Sequence, residues 1–180
     1  MSSIKTIIMM LFLVVTLQSC NQDPTLQSFY VDSELAPGFT SLDVPISLLK
    51  IDETLLDETQ QEAYDSVDKL SLIAFVAEDG NKDQMDIEYA KVKTILENPK
   101  YEELMRGGNS TDGKFVVKCI GDGDDVDEFI LLGNSKEAGF AVVRILGDDM
   151  NFSKIMDLAT VLEEGNIEET QLKEITKFFQ

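Results

Sequence analysis

Histidine is absent from all 180 residues of the chain. Its absence excludes Ser-His-Asp and Cys-His catalytic centres and removes the commonest protein ligand of zinc and of haem iron. The sequence also has no phosphate-binding loop and no dinucleotide fingerprint, because the short glycine motif at residues 121–123 joins two predicted strands and opens no helix. We therefore predict that the protein is not an enzyme and that it holds no cofactor and no metal.

Cysteine is scarce, with one residue at position 20 and one at position 119. Cys119 falls in a predicted strand and shares a face with Phe115 and Val117, so we interpret it as a buried structural thiol rather than a nucleophile. If Cys20 carries a lipid, as the residues around it predict, Cys119 is left alone and no internal disulfide is expected.

Basic residues are also few, because 15 Lys and Arg stand against 34 Asp and Glu and give a net charge of −19. A field of this sign repels phosphate backbones, so we expect no nucleic-acid partner. Carboxylates are so abundant that pairs of them carry no information about catalysis.

The segment Asp79–Asp83 resembles the start of a calcium-binding loop. Gln84 stands where that loop has a glycine and Ala90 where it has its final glutamate, so we predict an acidic turn instead.

The first twenty residues have the pattern of a secretion signal. Lys5 gives a positive start, residues 7–15 form an apolar run too short to span a bilayer, and the Leu-Gln-Ser-Cys ending at Cys20 resembles the bacterial lipobox. We predict a lipoprotein signal peptide over 1–19, lipidation of Cys20 and a durable membrane anchor of two or three acyl chains. An ordinary signal peptide with a chance cysteine, or a short buried helix, is the alternative. Asn21 is not the aspartate that typically retains a lipoprotein in the inner membrane, so we expect the outer membrane, on its periplasmic or surface face.

The rest of the chain divides into two parts. Residues 20–38 carry prolines and no sustained hydrophobic period, which predicts a tether, and residues 39–180 are predicted to form a single domain. That domain alternates between strand and helix patterns: a strand at 42–44, short helices at 46–51 and 57–67, a doubly buried strand at 70–77, a helix at 85–96, a turn at 101–105, strands at 114–120, 129–132 and 140–146, and two helices that begin near 152 and 166.

This order of elements predicts an α+β fold, a two-layer sandwich with a mostly antiparallel sheet and helices packed on one face. A ferredoxin-like split arrangement is the alternative. The strand at 140–146 is apolar on both faces, so a sheet covered on one face only would leave an exposed patch. That candidate partner-binding patch consists of Phe140, Val142, Arg144 and Leu146.

Arg144 is the distinctive residue of this patch, since a guanidinium among apolar side chains is suited to a carboxylate of an envelope partner or of a second copy. Two other interpretations leave no binding surface there. Arg144 can pair across strands with Glu128, or the segment at residues 39–51 can cover the patch.

Several of these features occur together in one known family. The lipobox, the Val-Pro-Ile-Ser-Leu-Leu segment at 44–49, the Leu-Ile-Ala-Phe-Val strand at 72–76 and the late meander resemble the domain-of-unknown-function family numbered four-two-five-two (DUF4252), short lipoproteins of Bacteroidota. The resemblance covers residues 29–165 and implies no known activity and no functional residues. We expect a lipid-anchored cell-envelope protein that acts as a non-catalytic binding or sensing module. A carboxylate-based hydrolase acting on envelope sugars is the alternative.

Overall fold

A computed structural model of the protein describes residues 23–49, 51–109, 113–122 and 125–164. The predicted signal peptide, Cys20 and the helix predicted to begin near residue 166 lie outside these ranges. The described residues form four α-helices and six β-strands, and the strands make one sheet. Within these ranges, no helix combines the length and the apolar character that a membrane crossing requires.

The helices and strands follow one another without long connections. In chain order they are α1 (Leu26–Ser33), β1 (Phe39–Pro45), α2 (Glu58–Asp65), β2 (Val67–Val76), α3 (Lys82–Leu96), β3 (Glu102–Asn109), β4 (Gly113–Asp122), β5 (Asp125–Ser135), β6 (Gly139–Met150) and α4 (Phe152–Glu164). Two single-turn 3-10 helices, Ile46–Leu48 and Glu53–Leu55, lie between β1 and α2.

The sheet has the strand order β1-β2-β6-β5-β4-β3, and every neighbouring pair is antiparallel. Strands β3 to β6 form a continuous meander, whereas α3 carries the chain from β2 to the opposite edge, where β3 lies. The predicted α+β class with a mostly antiparallel sheet is confirmed. The strand order is that of a meander extended by β2 and β1 rather than that of the ferredoxin-like alternative.

Strand β2 lies inside the sheet because its sequence is apolar on both faces. Residues 71–75 are buried without interruption, and β2 pairs with β1 on one side and with β6 on the other. A strand that alternates its side chains between two faces stays buried throughout only when both faces are covered. The prediction of a doubly buried strand is therefore confirmed.

One face of the sheet, here called the α1/α3 face, packs against α1 and α3. Its cluster includes Leu26, Phe29, Val92, Ile95 and Leu96 from the helices, and Ile73, Phe75, Ile130, Leu132, Phe140 and Val142 from the strands. The rings of Phe75 and Phe140 stack with centroids 6.0 Å apart, and Phe39 meets both edge-on. Burial of these side chains stabilises the fold by roughly 25 cal/mol for each Å² of apolar surface removed from water.

The opposite face carries α2 and α4 near one end of the sheet. Ala63 of α2 and two residues of α4, Ile155 and Leu158, belong to one buried cluster with Cys119 and Phe129. Asp57 begins α2 with a capping box, because its carboxylate accepts the Gln60 N–H while the Gln60 side chain accepts the Asp57 N–H. The structure thus adds a second pair of helices to the two-layer arrangement.

Helix α1 corrects the prediction of a tether over residues 20–38. The Thr25 hydroxyl accepts the Ser28 N–H at 3.1 Å, the Ser28 hydroxyl accepts the Thr25 N–H at 3.0 Å, and the helix begins between them. Leu26 and Tyr30 are buried one turn apart. Because α1 has only eight residues, packing of its buried side against the sheet stabilises it more than its local helix propensity does. So short a helix shows no sustained hydrophobic period in the sequence, and it was therefore not predicted.

Strand β3 corrects the prediction of a turn at residues 101–105. It lies at the edge of the sheet, its side chains are mostly exposed, and its pairing with β4 shifts register at Leu104. The Phe115 ring lies over Gly107 so closely that a β-carbon there would approach the ring atoms to 2.6 Å. Glycine and exposed polar residues hide the apolar alternation by which strands are predicted.

Candidate functional site

Arg144 lies on β6 in a closed network of side chains on the α1/α3 face. Its Nε donates to Glu128 Oε1 at 2.5 Å and its Nη2 donates to Glu128 Oε2 at 3.1 Å. Its Nη1 donates to the side-chain oxygen of Gln27 at 2.9 Å, and its guanidinium lies 5.1 Å from the centroid of the Tyr30 ring. Arg144 is 6% exposed, so its donors are directed at partners within this chain.

The protonation states in this network are set by burial and by the ion pair. Burial lowers the pKa of Arg144, but hydrogen bonds and charge from Glu128 outweigh that effect and leave the pKa raised. Burial raises the pKa of Tyr30, and the nearby Arg144 charge lowers it only in part. The Tyr30 hydroxyl therefore stays protonated and donates to the Val142 carbonyl oxygen at 2.7 Å.

This network corrects the prediction of an exposed patch around Arg144. Phe140 and Val142 are at most 1% exposed, and Leu146 is half-buried. Helices α1 and α3 supply the cover, and the predicted alternative of a cross-strand pair with Glu128 is confirmed. These four residues therefore do not form the exposed surface that the binding hypothesis required.

Cys119 is buried on the opposite face of the sheet, as predicted. Burial raises the pKa of its thiol, and the negative charge of Glu102 raises it further. A raised pKa leaves little thiolate at neutral pH, and the thiolate is the nucleophilic form. The environment of Cys119 thus suits a core residue.

The acidic turn predicted at residues 79–83 leads into α3, which begins at Lys82. The Glu78 N–H donates to the side-chain oxygen of Asn81 at 2.8 Å, and the Asn81 side-chain amide donates to the Val76 carbonyl oxygen at 3.0 Å. These bonds close a turn of the kind predicted at residues 79–83. Across the described ranges, no three Cys, Asp or Glu side chains are grouped so as to hold a metal ion.

A pair of carboxylates lies at the start of β5 and the end of β6. Repulsion from Asp149 raises the pKa of Asp125, and the two side chains share a hydrogen bond. Both residues are exposed. Glycoside hydrolysis uses carboxyl groups about 5–9.5 Å apart on either side of a sugar, so a pair in direct contact on an open surface does not suit that chemistry.

A cavity of about 720 Å³ lies between α1 and α3. Phe29, Phe39 and Ile95 supply apolar walls. The Glu88 carboxylate beside it accepts bonds from Lys91 Nζ at 2.9 and 3.0 Å, and also from the Gln84 side chain. The buried charge at this cavity is thus neutralised by its own helix.

A groove on the same face of the sheet is unusual for so acidic a chain, because basic residues outnumber acidic ones in its lining. It has a volume of about 400 Å³ and lies between α3 and the outer strands β3 and β4. Its charged lining residues are Lys93, Arg106, Lys114, Lys118, Glu97 and Glu103, and its apolar ones include Leu96, Val116 and Leu132. Four of the 15 basic residues of the chain and two of the 34 acidic ones line this groove, which we call the cationic groove.

The cations of the cationic groove are engaged to different degrees. Nε and Nη2 of Arg106 donate to the two carboxylate oxygens of Glu103 at 2.5 and 2.6 Å, and these bonds hold the pKa of Glu103 below its usual value. Lys118 Nζ donates to the Tyr101 carbonyl oxygen at 3.0 Å, and this acceptor carries no formal charge. Lys114 is exposed. The net charge of the lining is therefore positive.

Helix α3 and strand β4 run in the same direction along the cationic groove. At one end the Tyr89 hydroxyl of α3 donates to the Asn134 side chain at 3.2 Å, and Asn134 lies opposite Lys114 in the β4–β5 register. At the other end Tyr101, which follows α3, accepts the bond from Lys118. The groove is thus a channel with a helix as one wall, a strand as its floor and a lysine near each end.

These features define an α+β protein with a six-stranded antiparallel sheet, helices on both faces and an open cationic groove at one side. The chain belongs to the family of the domain of unknown function DUF4252, whose family model matches residues 34–158. The family expected from the sequence is therefore confirmed. No curated protein and no solved structure matches the chain.

Sequence reasoning missed the cationic groove because its residues come from separate elements. Lys114 and Lys118 are visible in the sequence as alternate residues of one strand face with Val116 between them. Arg106 belongs to a strand that was not predicted. The sequence signal that could have found part of the groove is the local concentration of lysine in an acidic chain, whereas the pairing of residues 102–109 with β4 is visible only in the structure.

Proposed function

We propose that this protein is a non-catalytic binding module of the cell envelope that is anchored to the outer membrane through lipid on Cys20 and binds an acidic partner in the cationic groove. The observation that carries the proposal is the charge of that groove. In a chain with a net charge of −19, a lining with four basic and two acidic residues gives an acidic partner a place to approach without repulsion.

The position of α1 supports attachment close to the membrane. Thr25 caps α1, so only residues 21–24 separate it from Cys20. Even fully extended, the five peptide steps from Cys20 to Thr25 span at most about 18 Å. A lipid on Cys20 would therefore hold the sheet near the bilayer, and the cationic groove would meet partners at or near that surface.

Lipid attachment is tested by replacing the thiol. Cells that express Cys20→Ser or the wild-type chain are fed a radiolabelled fatty acid, and the membranes are separated. We expect label and outer-membrane fractionation for the wild type and neither for the variant, since serine offers no thiol for acylation. Label retained on Cys20→Ser contradicts the anchor.

Binding of an acidic partner is tested with poly-glutamate and the full chain in detergent. We expect binding that weakens with added salt, since screening shortens the Debye length from about 10 Å at 0.1 M to about 3 Å at 1 M. Lys114→Glu should weaken it, whereas Lys82→Glu at the start of α3 makes the same charge change outside the groove and should not. Equal effects of the two variants contradict the proposed function.

A further inference from the structure

On the basis of the function proposed above, we propose that the occupant of the cationic groove is an extended acidic peptide segment of a partner protein with the pattern acid-x-apolar-x-acid. The two acids would meet Lys114 and Lys118, and the apolar residue would meet Val116.

The floor of the groove supplies this pattern. Lys114, Val116 and Lys118 are alternate residues of β4, so their side chains leave the same face of the strand. At about 3.3–3.4 Å per residue, the two lysine positions lie roughly 13 Å apart with the valine midway. An extended peptide has the same period, so residues i, i+2 and i+4 of a peptide laid along β4 fall opposite these three side chains.

The walls of the groove keep such a peptide aligned with β4. Helix α3 runs beside the strand, and Tyr89, Lys93 and Leu96 line that wall at helical spacing. Leu132 of β5 extends the apolar floor beside Val116. An open channel with an apolar centre and a charge near each end suits an extended chain better than a compact ligand.

The distribution of charge also favours a peptide over a dense polyanion. The lysines are separated along the channel and do not converge on one point, as a single phosphate would require. Glu97 and Glu103 share the lining, so neighbouring phosphates would meet carboxylates as well as cations. Arg106, the fork-shaped donor that best fits phosphate, already binds Glu103 through two hydrogen bonds.

The inference is tested by fluorescence anisotropy with the full chain in detergent and three labelled peptides. The first contains Glu-Ser-Leu-Ser-Glu, the second the same residues as Glu-Glu-Leu-Ser-Ser, and the third Lys-Ser-Leu-Ser-Lys, all with identical neutral flanks. We expect the first to bind about tenfold more tightly than the second, which is about 1.4 kcal/mol, and the third not to bind. Inorganic phosphate at the same concentration should not displace the first peptide.

Two variants place the peptide on β4. Lys114→Glu and Lys118→Glu should each weaken the first peptide about tenfold, whereas Lys82→Glu should change its affinity less than about twofold. Circular dichroism and the thermal midpoint check folding. Lys114 is exposed, so Lys114→Glu decides the matter even if Lys118→Glu, which loses the bond to the Tyr101 carbonyl, fails to fold.

Each result has a distinct meaning. Equal binding of the first two peptides overturns the acid-x-apolar-x-acid pattern, and so does displacement by phosphate, which would indicate a simple anion site. If poly-glutamate still depends on Lys114 in either case, the proposed function stands and only this inference fails. Self-association of the chain that Lys114→Glu abolishes, without peptide binding, would assign the groove to a second copy and also overturn the inference.

Discussion

The α1/α3 face of the sheet carries two Arg–Glu pairs of the same chemistry in opposite settings. Arg144 and Glu128 are joined by two hydrogen bonds with side chains only 7% and 11% exposed. Arg106 and Glu103 are joined by two hydrogen bonds with side chains 75% and 30% exposed. The first pair is part of the core, whereas the second lies at the edge of the cationic groove. Whether helices cover an Arg–Glu pair therefore decides how much that pair contributes to the stability of the fold.

The difference arises from where the helices lie. Helices α1 and α3 cover β6 and β5, so Arg144 loses water and needs every donor satisfied. Strand β3 lies beyond α3 at the sheet edge, where water screens Arg106. The two pairs therefore serve as matched probes of the closed and the open part of one sheet.

The largest expected effect comes from removing one partner of the buried pair. Glu128→Gln leaves the Arg144 guanidinium charge buried without its carboxylate, and breaking a buried pair in this way costs about 3–5 kcal/mol. Urea denaturation followed by circular dichroism measures the free energy of unfolding. A loss below about 1 kcal/mol would show that water reaches Arg144 and would remove the contrast between the two pairs.

A double variant sharpens this result. Arg144→Met combined with Glu128→Leu removes both charges and keeps the site filled with apolar groups, so it should regain most of the stability that Glu128→Gln loses. Neither substitution removes the donor or the acceptor of the bond from the Tyr30 hydroxyl to the Val142 carbonyl. Stability no better than that of Glu128→Gln would mean that packing at this site, rather than the unpaired charge, explains the loss.

The next effect tests whether α1 is part of the closed region. Leu26 is 1% exposed, so Leu26→Ala leaves a cavity and should lower the free energy of unfolding by about 2–5 kcal/mol. Val31 lies on the same helix but is 64% exposed, and Val31→Ala should change stability by no more than about 0.5 kcal/mol. Similar small effects of both variants would restore the tether interpretation of residues 20–38.

A smaller effect tests exposed like charges. Repulsion from Asp149 raises the pKa of Asp125 in the folded state. A carboxyl with a raised folded pKa binds its proton more tightly when folded, so its ionisation weakens the fold as pH rises through that pKa. Asp125→Asn should therefore raise the thermal midpoint slightly at neutral pH, and the gain should vanish near pH 3, where carboxyls are protonated. A lower midpoint at neutral pH contradicts this reading.

The smallest effect is expected for the exposed Arg–Glu pair. Hydrogen bonds from Arg106 lower the pKa of Glu103, so the pair stabilises the fold above the usual carboxyl pKa and loses this contribution as pH falls through the lowered value. Glu103→Gln should lower the thermal midpoint far less than Glu128→Gln does, and added salt should reduce the difference further. Equal losses for the two variants would erase the distinction between the closed and the open part of the sheet.

Much of the local structure could be predicted because its signals lie within single segments. The apolar run of β2 and the period of α3 identify those elements without reference to the rest of the chain. Strand alternation also placed Phe140, Val142 and Arg144 correctly on one face. Cys119 was assigned to the core in the same way.

The sequence alone thus determined the buried strand β2, the helix α3, three strands of the antiparallel meander and the residues that share a face of those strands, since these follow from neighbours a few positions apart. Only the tertiary structure decided which faces are closed. Arg144 is covered by α1, whose Gln27 lies 117 positions away in the chain. The groove forms because α3 does not extend over β3 and the neighbouring part of β4. Side-chain alternation within a strand shows which residues share a face but not which distant helix packs on that face. The burial of Arg144 and the exposure of the groove lysines therefore could not be predicted from the strand sequences.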